Sequence, residues 1–476
     1  MPKPFIIGFG PWMPDGADVA FTMPFQFNQT EVPLADCLNV YKAFGSYRSL
    51  PTVASTGALA SQCLGAWTGL GTNGSPYIYA GAGSDLFVRS GSTWTNVSKA
   101  AGAYSGATQW SFADFGGCVI GSDGIHPLQD ISVGGAAFAD ITAAPIGNIL
   151  GVINQFLFVG DLTLPTAYPY RVQWSGVGDP SSWPIPLTDA ALAAQSSYED
   201  LTQDFGAVMF IGGGPQQGVI LQKLGVTRAQ YVGGDVVFQF VPFERKRGLI
   251  APGAAVQVGD VTHYISDDGF YMTDGSQVVS TGTASRAALD KWFWTNVNQA
   301  ALSTIRAAWD ADKRLVMFSI PTGTNTLPDT LLMLSPKNGE WTRAAIPSEF
   351  LFTDTDGTRH RAAFIDQTHS LGYLTGASAS GYCETYDMTF VDGMVRDLVE
   401  AQPHIQCTDS PTMRIGSKAN IDESVSYTAD VMRDGFSRRC SFDPPPSSII
   451  ARARVTSADA TAINGATIYT EIAGTV

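Results

Sequence analysis

Five histidines, His126, His263, His360, His369 and His404, are the first candidates for metal ligation or acid–base work, and their spacing supports neither. No two stand in a His-Glu-x-x-His frame, and none neighbours a strained Ser turn that would present a nucleophile. Ser266-Asp267-Asp268-Gly269-Phe270 and Ser122-Asp123-Gly124 fall short of an aspartate box, because such a box separates its Asp from its Gly; both read as hairpin turns. Asp354, Asp356 and Gly357 in TDTDGTRH offer oxygen ligands suited to calcium. The twelfth position of an EF-hand loop would fall on the apolar Ile365, so the run reads as a loop turn. Asp310 and Asp312 flank one alanine beside Lys313 and Arg314 and read as a solvated, neutralised pair. Gly212-Gly213-Gly214-Pro215 lacks the lysine of a phosphate loop. Catalysis, a cofactor and a bound metal are therefore not expected.

Cations concentrate in Glu244-Arg245-Lys246-Arg247 and, more loosely, in Arg438, Arg439, Arg452 and Arg454. Either group could meet DNA or an acidic partner, or serve as ordinary surface ion pairs. The formal net charge of -15 works against a groove that grips phosphate backbones, since such binding depends on clustered Lys and Arg releasing counterions. DNA touching this chain is expected to pass without being held. Six cysteines, Cys37, Cys63, Cys118, Cys383, Cys407 and Cys440, show no Cys-x-x-Cys spacing, which disfavours a zinc ribbon and points to reduced thiols. The N-terminal MPKPFIIGFGPWMPDG fails as a signal peptide, and Ile146 to Leu164 contains Asn148, Asn154, Gln155 and Asp161, so no membrane span is expected. Folding in a cytoplasm follows from these readings.

The elements that position these residues read as strands. With 45% hydrophobic and only 15% charged residues, the chain suits buried strands, with Gly 50 and Pro 27 as turn punctuation. From Ser61 onward, short apolar and aromatic runs alternate with Gly, Asp, Asn or Pro. They gather into seven clusters, the clearest being Ala254 to Gly282, with turns at Gly259-Asp260, Asp268-Gly269 and Asp274-Gly275. Another spans Ser303 to Pro347, with turns at Asp310 to Lys313 and at Asn338-Gly339, just before Trp341. The last and weakest covers 361–376 and 379–387. Clusters of four strands recurring at such a period predict an all-β protein, a β-propeller of six or more blades; a set of β-sandwiches is the alternative. Short helices are expected near 187–203 and 285–299, between blades, capped by Thr188 and Ser285. The expected division is an extended N-terminal segment (1–57), the propeller (58–400) and a β-rich C-terminal region (401–476). That last region is expected to pack on the propeller or on neighbouring subunits.

Within this frame RVQWSGVGDPSSWP, 171–184, is the most distinctive stretch. Gly178 supplies backbone freedom, Pro180 fixes φ, and Asp179 and Ser181 can cap local N–H groups, so the turn presents Trp174 and Trp183 for packing.

Five segments in consistent order resemble the tail hub or nozzle proteins of short-tailed bacteriophages. These are FNQTEVPLADCLNVY (27–41), YRVQWSGVGDPSSW (170–183), FERKRGLIAPGAAVQVGDVTHYISDDGFYMTDG (243–275), IRAAWDADKRLVMFSIP with its KNGEW partner, and ARARVTSADATAINGATIYTEIAG. The resemblance implies a structural virion protein, assembled in the host bacterial cytoplasm and resident in the virion tail. It implies a subunit of a ring, usually sixfold, that extends the portal and adaptor channel, retains packaged DNA and conducts it at ejection. The implied partners are copies of itself, portal and adaptor proteins, tail fibres or spikes, and double-stranded DNA contacted without sequence specificity. Two other classes stand beside this one. A receptor- or glycan-binding tail protein would stack sugars on exposed Trp and Tyr, and a propeller glycoside hydrolase would need paired carboxylates in its central channel.

Overall fold

Tight hairpins build this chain. Val258 pairs with Val261 and Ser266 with Gly269, so Gly259-Asp260 and Asp267-Asp268 are two-residue loops in which the chain reverses and the following strand pairs antiparallel. Repeated along the sequence, such reversals give seven four-stranded antiparallel sheets among the described residues. The computed structural model describes residues 2–14, 25–26, 31–164, 166–281, 286–389, 394–418 and 423–473.

Each sheet is a propeller blade. Blades 1 to 6 occupy 63–96, 111–141, 146–200, 208–244, 255–280 and 306–345, their strands adjacent in chain order. Blade 7 takes three strands from 350–378 and its fourth, Pro51–Ala58, from the N-terminal side of the chain, with Ser370 opposite Ala58 and Leu374 opposite Val53. First strands of most neighbouring blades lie side by side, and Phe350–Thr355 of blade 7 meets Cys63–Leu70 of blade 1, which closes the ring. The protein is a seven-bladed β-propeller.

Alternation along the strands explains the stacking. On Phe156–Leu164, Phe156 and Phe158 point into the core shared with blade 4, while Leu157 and Val159 point into the core shared with blade 2. On Leu315–Ile320, Leu315 and Met317 face blade 7, while Val316 and Phe318 face blade 5. A period of two thus gives every blade two apolar faces, and only a neighbour on each side can bury both. Blades approach so closely that a Cβ on Gly213 would stand 1.5 Å from the Val152 carbonyl oxygen.

The two chain ends form a second β unit. Lys3–Trp12 pairs antiparallel with Ala462–Ile472 and parallel with Val32–Leu38, within a 15-stranded sheet that also takes Gly381–Thr385, Arg396–Gln406, Thr412–Lys418 and Ile450–Ser457. The divisions expected at 57/58 and 400/401 therefore move. Residues 3–14, 25–26 and 31–49 belong to the terminal unit, 51–58 to blade 7, and the strand Arg396–Gln406 runs through the second expected boundary. GYCETYD, assigned from sequence to the seventh cluster, lies in the terminal unit because Cys383 pairs with Cys37 and Val455.

Two α-helices are present among the described residues, beside two 3-10 turns at Gln203–Phe205 and Gln299–Thr304. Helix α1, Asp189–Ala194, is capped by Thr188, whose Oγ1 accepts the Ala191 N–H at 3.3 Å, and it sits inside blade 3, between its third and fourth strands. It is not a connection between blades. Helix α2, Arg286–Asn296, does join blade 5 to blade 6; Ser285, its expected cap, lies outside the described residues.

Candidate functional site

The 171–184 segment is a packed architectural turn. Trp174 ends the third strand of blade 3, is 2% exposed, donates its indole N–H to the Gln195 carbonyl at 2.9 Å and stacks on Phe158 at 5.5 Å. Phe238 and Phe240 of blade 4 complete its surroundings, at 5.4 and 5.7 Å. Gly178, with φ +69, lies in the left-handed region and gives its N–H to the Gln155 carbonyl, tying this loop to the first hairpin of the blade. Asp179 accepts the backbone N–H and the hydroxyl of Ser181 at 2.9 and 2.7 Å. Trp183 donates to the Pro180 carbonyl at 2.7 Å and is buried on the other face of the blade, toward blade 2.

The other turn residues also serve packing. The turn expected at Asp268-Gly269 lies one residue earlier, with Asp267-Asp268 as the loop and Gly269 already paired with Ser266 at the start of its strand; Gly339 closes its turn by donating to the Ser335 carbonyl at 2.9 Å, beside Asn338. Trp341 is buried against Phe270 of blade 5 at 4.6 Å. The first basic knot divides: Arg247 faces Glu244 and Asp268 at 3.9 and 3.5 Å, and Arg245 and Lys246 are exposed. In the second, Arg439 pairs with Glu400 at 2.6 Å, Arg438 is exposed, and Arg452 and Arg454 are drawn into ion pairs with Asp387 and Glu384.

Two aspartates depart from their sequence reading. Asp310 is buried, not solvated: its carboxylate accepts the Lys313 and Ala362 N–H groups, at 2.7 and 3.4 Å, and so holds both a hairpin turn and blade 7. Asp354 lies on a strand and joins blades 7 and 1, accepting Thr68 Oγ1 at 2.6 Å, Tyr373 Oη at 2.8 Å and Arg361 at 3.0 Å. Only Asp356 behaves as a turn residue, capping Thr358 and Arg359. Those hydrogen bonds favour its ionised form and hold its carboxyl down at about 2.

The joint between propeller and terminal unit is the most elaborate polar feature. Asn39 donates its backbone N–H to the Arg343 carbonyl on the outer strand of blade 6, and its side chain accepts the Ala345 N–H, both at 3.0 Å. Asp36 receives Arg343 at 2.8 Å and Tyr382 Oη at 2.6 Å. Burial opposes the Arg343 charge, but Asp36 outweighs it and holds the guanidinium above its usual range. Lys42, buried over the Tyr47 ring at 4.4 Å, faces Glu340 at 3.5 Å, and Trp12 meets Trp292 of α2 edge-on at 5.6 Å.

Beside this joint opens a cleft of about 460 Å³. One wall is the hairpin Val40–Ala43 and Ser46–Ser49, with Phe44 and Gly45 at its tip; the other is a pair of hairpin turns of blade 6 carrying Asp312, Lys313, Arg314 and Lys337. The sequence reading located the two blade 6 turns and missed their meeting with Phe44 and Arg48, because more than 250 residues of chain separate them. The one three-ligand cluster among the described residues, Cys407, Asp409 and Asp459, is a hydrogen-bonded turn. Asp409 accepts Ser457 Oγ and Ala458 N–H, Asp459 accepts the Thr408 and Asp409 N–H groups, and burial pushes the Cys407 thiol up to about 11.

No protein-family model and no curated protein sequence matches the chain. Among solved structures, it is similar to the β-propeller domain of Cps50 (Swd1) from Myceliophteria thermophila, at 8% identity and a TM-score of 0.43, covering 67% of this chain and 98% of that one. It is also similar to BamB from Moraxella catarrhalis, at 9% identity and a TM-score of 0.40, covering 70% and 92%. A third likeness is to the extracellular domain of the one-component system BT4673 of B. thetaiotaomicron, at 8% identity and a TM-score of 0.45; the match covers 69% of this chain and 40% of that one. The closed ring of seven four-stranded blades makes the class that of β-propeller proteins, a fold that hosts many unrelated functions.

Proposed function

We propose that this protein is a structural subunit of a phage tail nozzle or hub ring. It extends the portal and adaptor channel, retains packaged DNA, forms the conduit for ejection and offers its outer surface to tail fibres or spikes. The observation that supports this most is the division of labour along the chain. The segments on which the family resemblance rests fall in both the propeller and the terminal β unit, where their residues serve packing, as Trp174, Asp36 and the 450–457 strand do. Both chain ends are knitted into one unit that is held to blade 6 and to helix α2, so that each copy offers two bodies for contact with its neighbours. The acidic balance suits a channel through which a polyanion slides, and Arg247, Arg439, Arg452 and Arg454 are spent on internal ion pairs.

Negative-stain microscopy of the purified protein at high concentration, alone and with portal and adaptor proteins, tests the proposal. Sixfold rings are expected. A particle that stays monomeric in every mixture would overturn it. A glycan-array signal from the isolated subunit would instead support receptor binding, and loss of polysaccharide viscosity would support a hydrolase.

A further inference from the structure

The cleft beside the joint is cationic on an acidic protein. Lys42 and Lys313 are matched by Glu340 and Asp310, and Asp312 by Arg359. Arg48, Arg314 and Lys337 have no carboxylate within ion-pair distance among the described residues. The Nε of Arg48, whose side chain lines the cleft beside Tyr41, is buried without a hydrogen-bond partner.

Phe44 is out of place for folding alone. It occupies a two-residue hairpin loop with φ +53, where Asn, Asp or Gly is favoured, and the residue is 78% exposed. The ring lies 5.4 Å from the Arg48 guanidinium and 5.8 Å from that of Arg314, which also holds a left-handed backbone at φ +57. Each guanidinium is attracted to that ring, which partly offsets the like charge of the pair. Two arginines and a lysine that line one cleft, none of them ion-paired among the described residues, match the oxygen-rich surface of adjoining phosphates, which guanidinium forks grip through paired hydrogen bonds.

We infer that this cleft binds a compact polyphosphate anion, held by Arg48, Arg314 and Lys337. Its volume is in the range of small-ligand sites. A long polyanion is disfavoured because the surrounding surface of a chain of net charge -15 repels whatever extends beyond the cleft. This site is independent of the ring proposal.

Isothermal titration of the full-length protein with tripolyphosphate, at low salt and again at about 200 mM salt, tests the inference. Saturable binding that weakens with salt is expected. Lys337→Gln and Arg314→Gln, both on exposed turns, should each weaken it by about tenfold, the worth of one charge-assisted contact. The charge-matched control Arg438→Gln should leave it unchanged. Arg48→Gln is followed with its melting temperature, since Arg48 also packs against the hairpin. No binding of tripolyphosphate at low salt, or equal weakening by Arg438→Gln, would overturn the inference. Tighter binding of an acidic peptide or of a single-stranded oligonucleotide than of tripolyphosphate would overturn it too, assigning the cleft to a protein or nucleic-acid partner.

Discussion

Replacing Trp174 with alanine removes the ring that joins blades 3 and 4. The side chain is 2% exposed and packs on Phe158, Phe238 and Phe240, so the substitution leaves a cavity walled by aromatic rings that cannot collapse without moving two sheets. Cavities of this kind cost about 3–5 kcal/mol. The Gln195 carbonyl also loses its indole donor at 2.9 Å, worth about 1 kcal/mol more. Trp174→Phe keeps most of the ring and loses the hydrogen bond, so about 1–2 kcal/mol is expected of it. Guanidinium unfolding followed by far-ultraviolet circular dichroism, which does not depend on the deleted chromophore, should rank wild type above Trp174→Phe and that well above Trp174→Ala. Equal midpoints for the two variants would refute the reasoning, because they would show that the indole ring fills no space the fold depends on.

Other substitutions follow from the same geometry. Asp36→Ala strands the half-buried Arg343 and frees Tyr382, so it should lower stability by about 2 kcal/mol and speed proteolytic separation of the terminal unit. Arg359→Ala, which breaks only the exposed pair with Asp312, should leave the unfolding midpoint where it is. Burial holds His263 down at about 4, below its unfolded value of 6.5, so the native state binds fewer protons than the unfolded chain between those values. Stability should therefore fall as pH drops from 6.5 toward 4, by about 2 kcal/mol at pH 5, and His263→Gln should flatten that part of the profile. Thiol titration of the native protein should modify Cys118 and Cys407, both half-buried, well before Cys37, Cys63, Cys383 and Cys440; burial pushes the Cys37 and Cys63 thiols up to about 12. Prompt modification of all six would contradict the buried placement.

What could be read from the sequence follows from how local each signal is. The hairpins at Gly259-Asp260 and Asn338-Gly339 declare themselves through turn chemistry, and Phe156–Leu164 through its apolar run, because both are properties of neighbouring residues. Pro51–Ala58 was invisible as a propeller strand: PTVASTGA carries small and hydroxylated side chains on an outer edge, and its partner is about 320 residues away. The first strand of blade 1, Cys63–Leu70, mixes Gly65, Ala66, Thr68 and Gly69 with Leu64, Trp67 and Leu70, so its apolar residues keep no period of two. Helix α1 ends at Ala194, and the strand Ser197–Asp200 that completes blade 3 falls within the 187–203 stretch expected to be helical, because short polar SYED carries no strand rhythm of its own. At the joint, Asp36, Lys42, Glu340 and Arg343 look like unremarkable surface charges until the fold pairs them. Asp310 misled for the opposite reason: adjacent lysine and arginine suggested a solvated cluster, while the backbone buried the carboxylate as an acceptor for two N–H groups.

The proposal of a ring subunit is met most directly by native mass spectrometry across a concentration series, with and without portal and adaptor proteins. The account predicts a closed species of six 50.6-kDa chains that persists when DNA and salt are varied. A single chain at every concentration and in every mixture would contradict it.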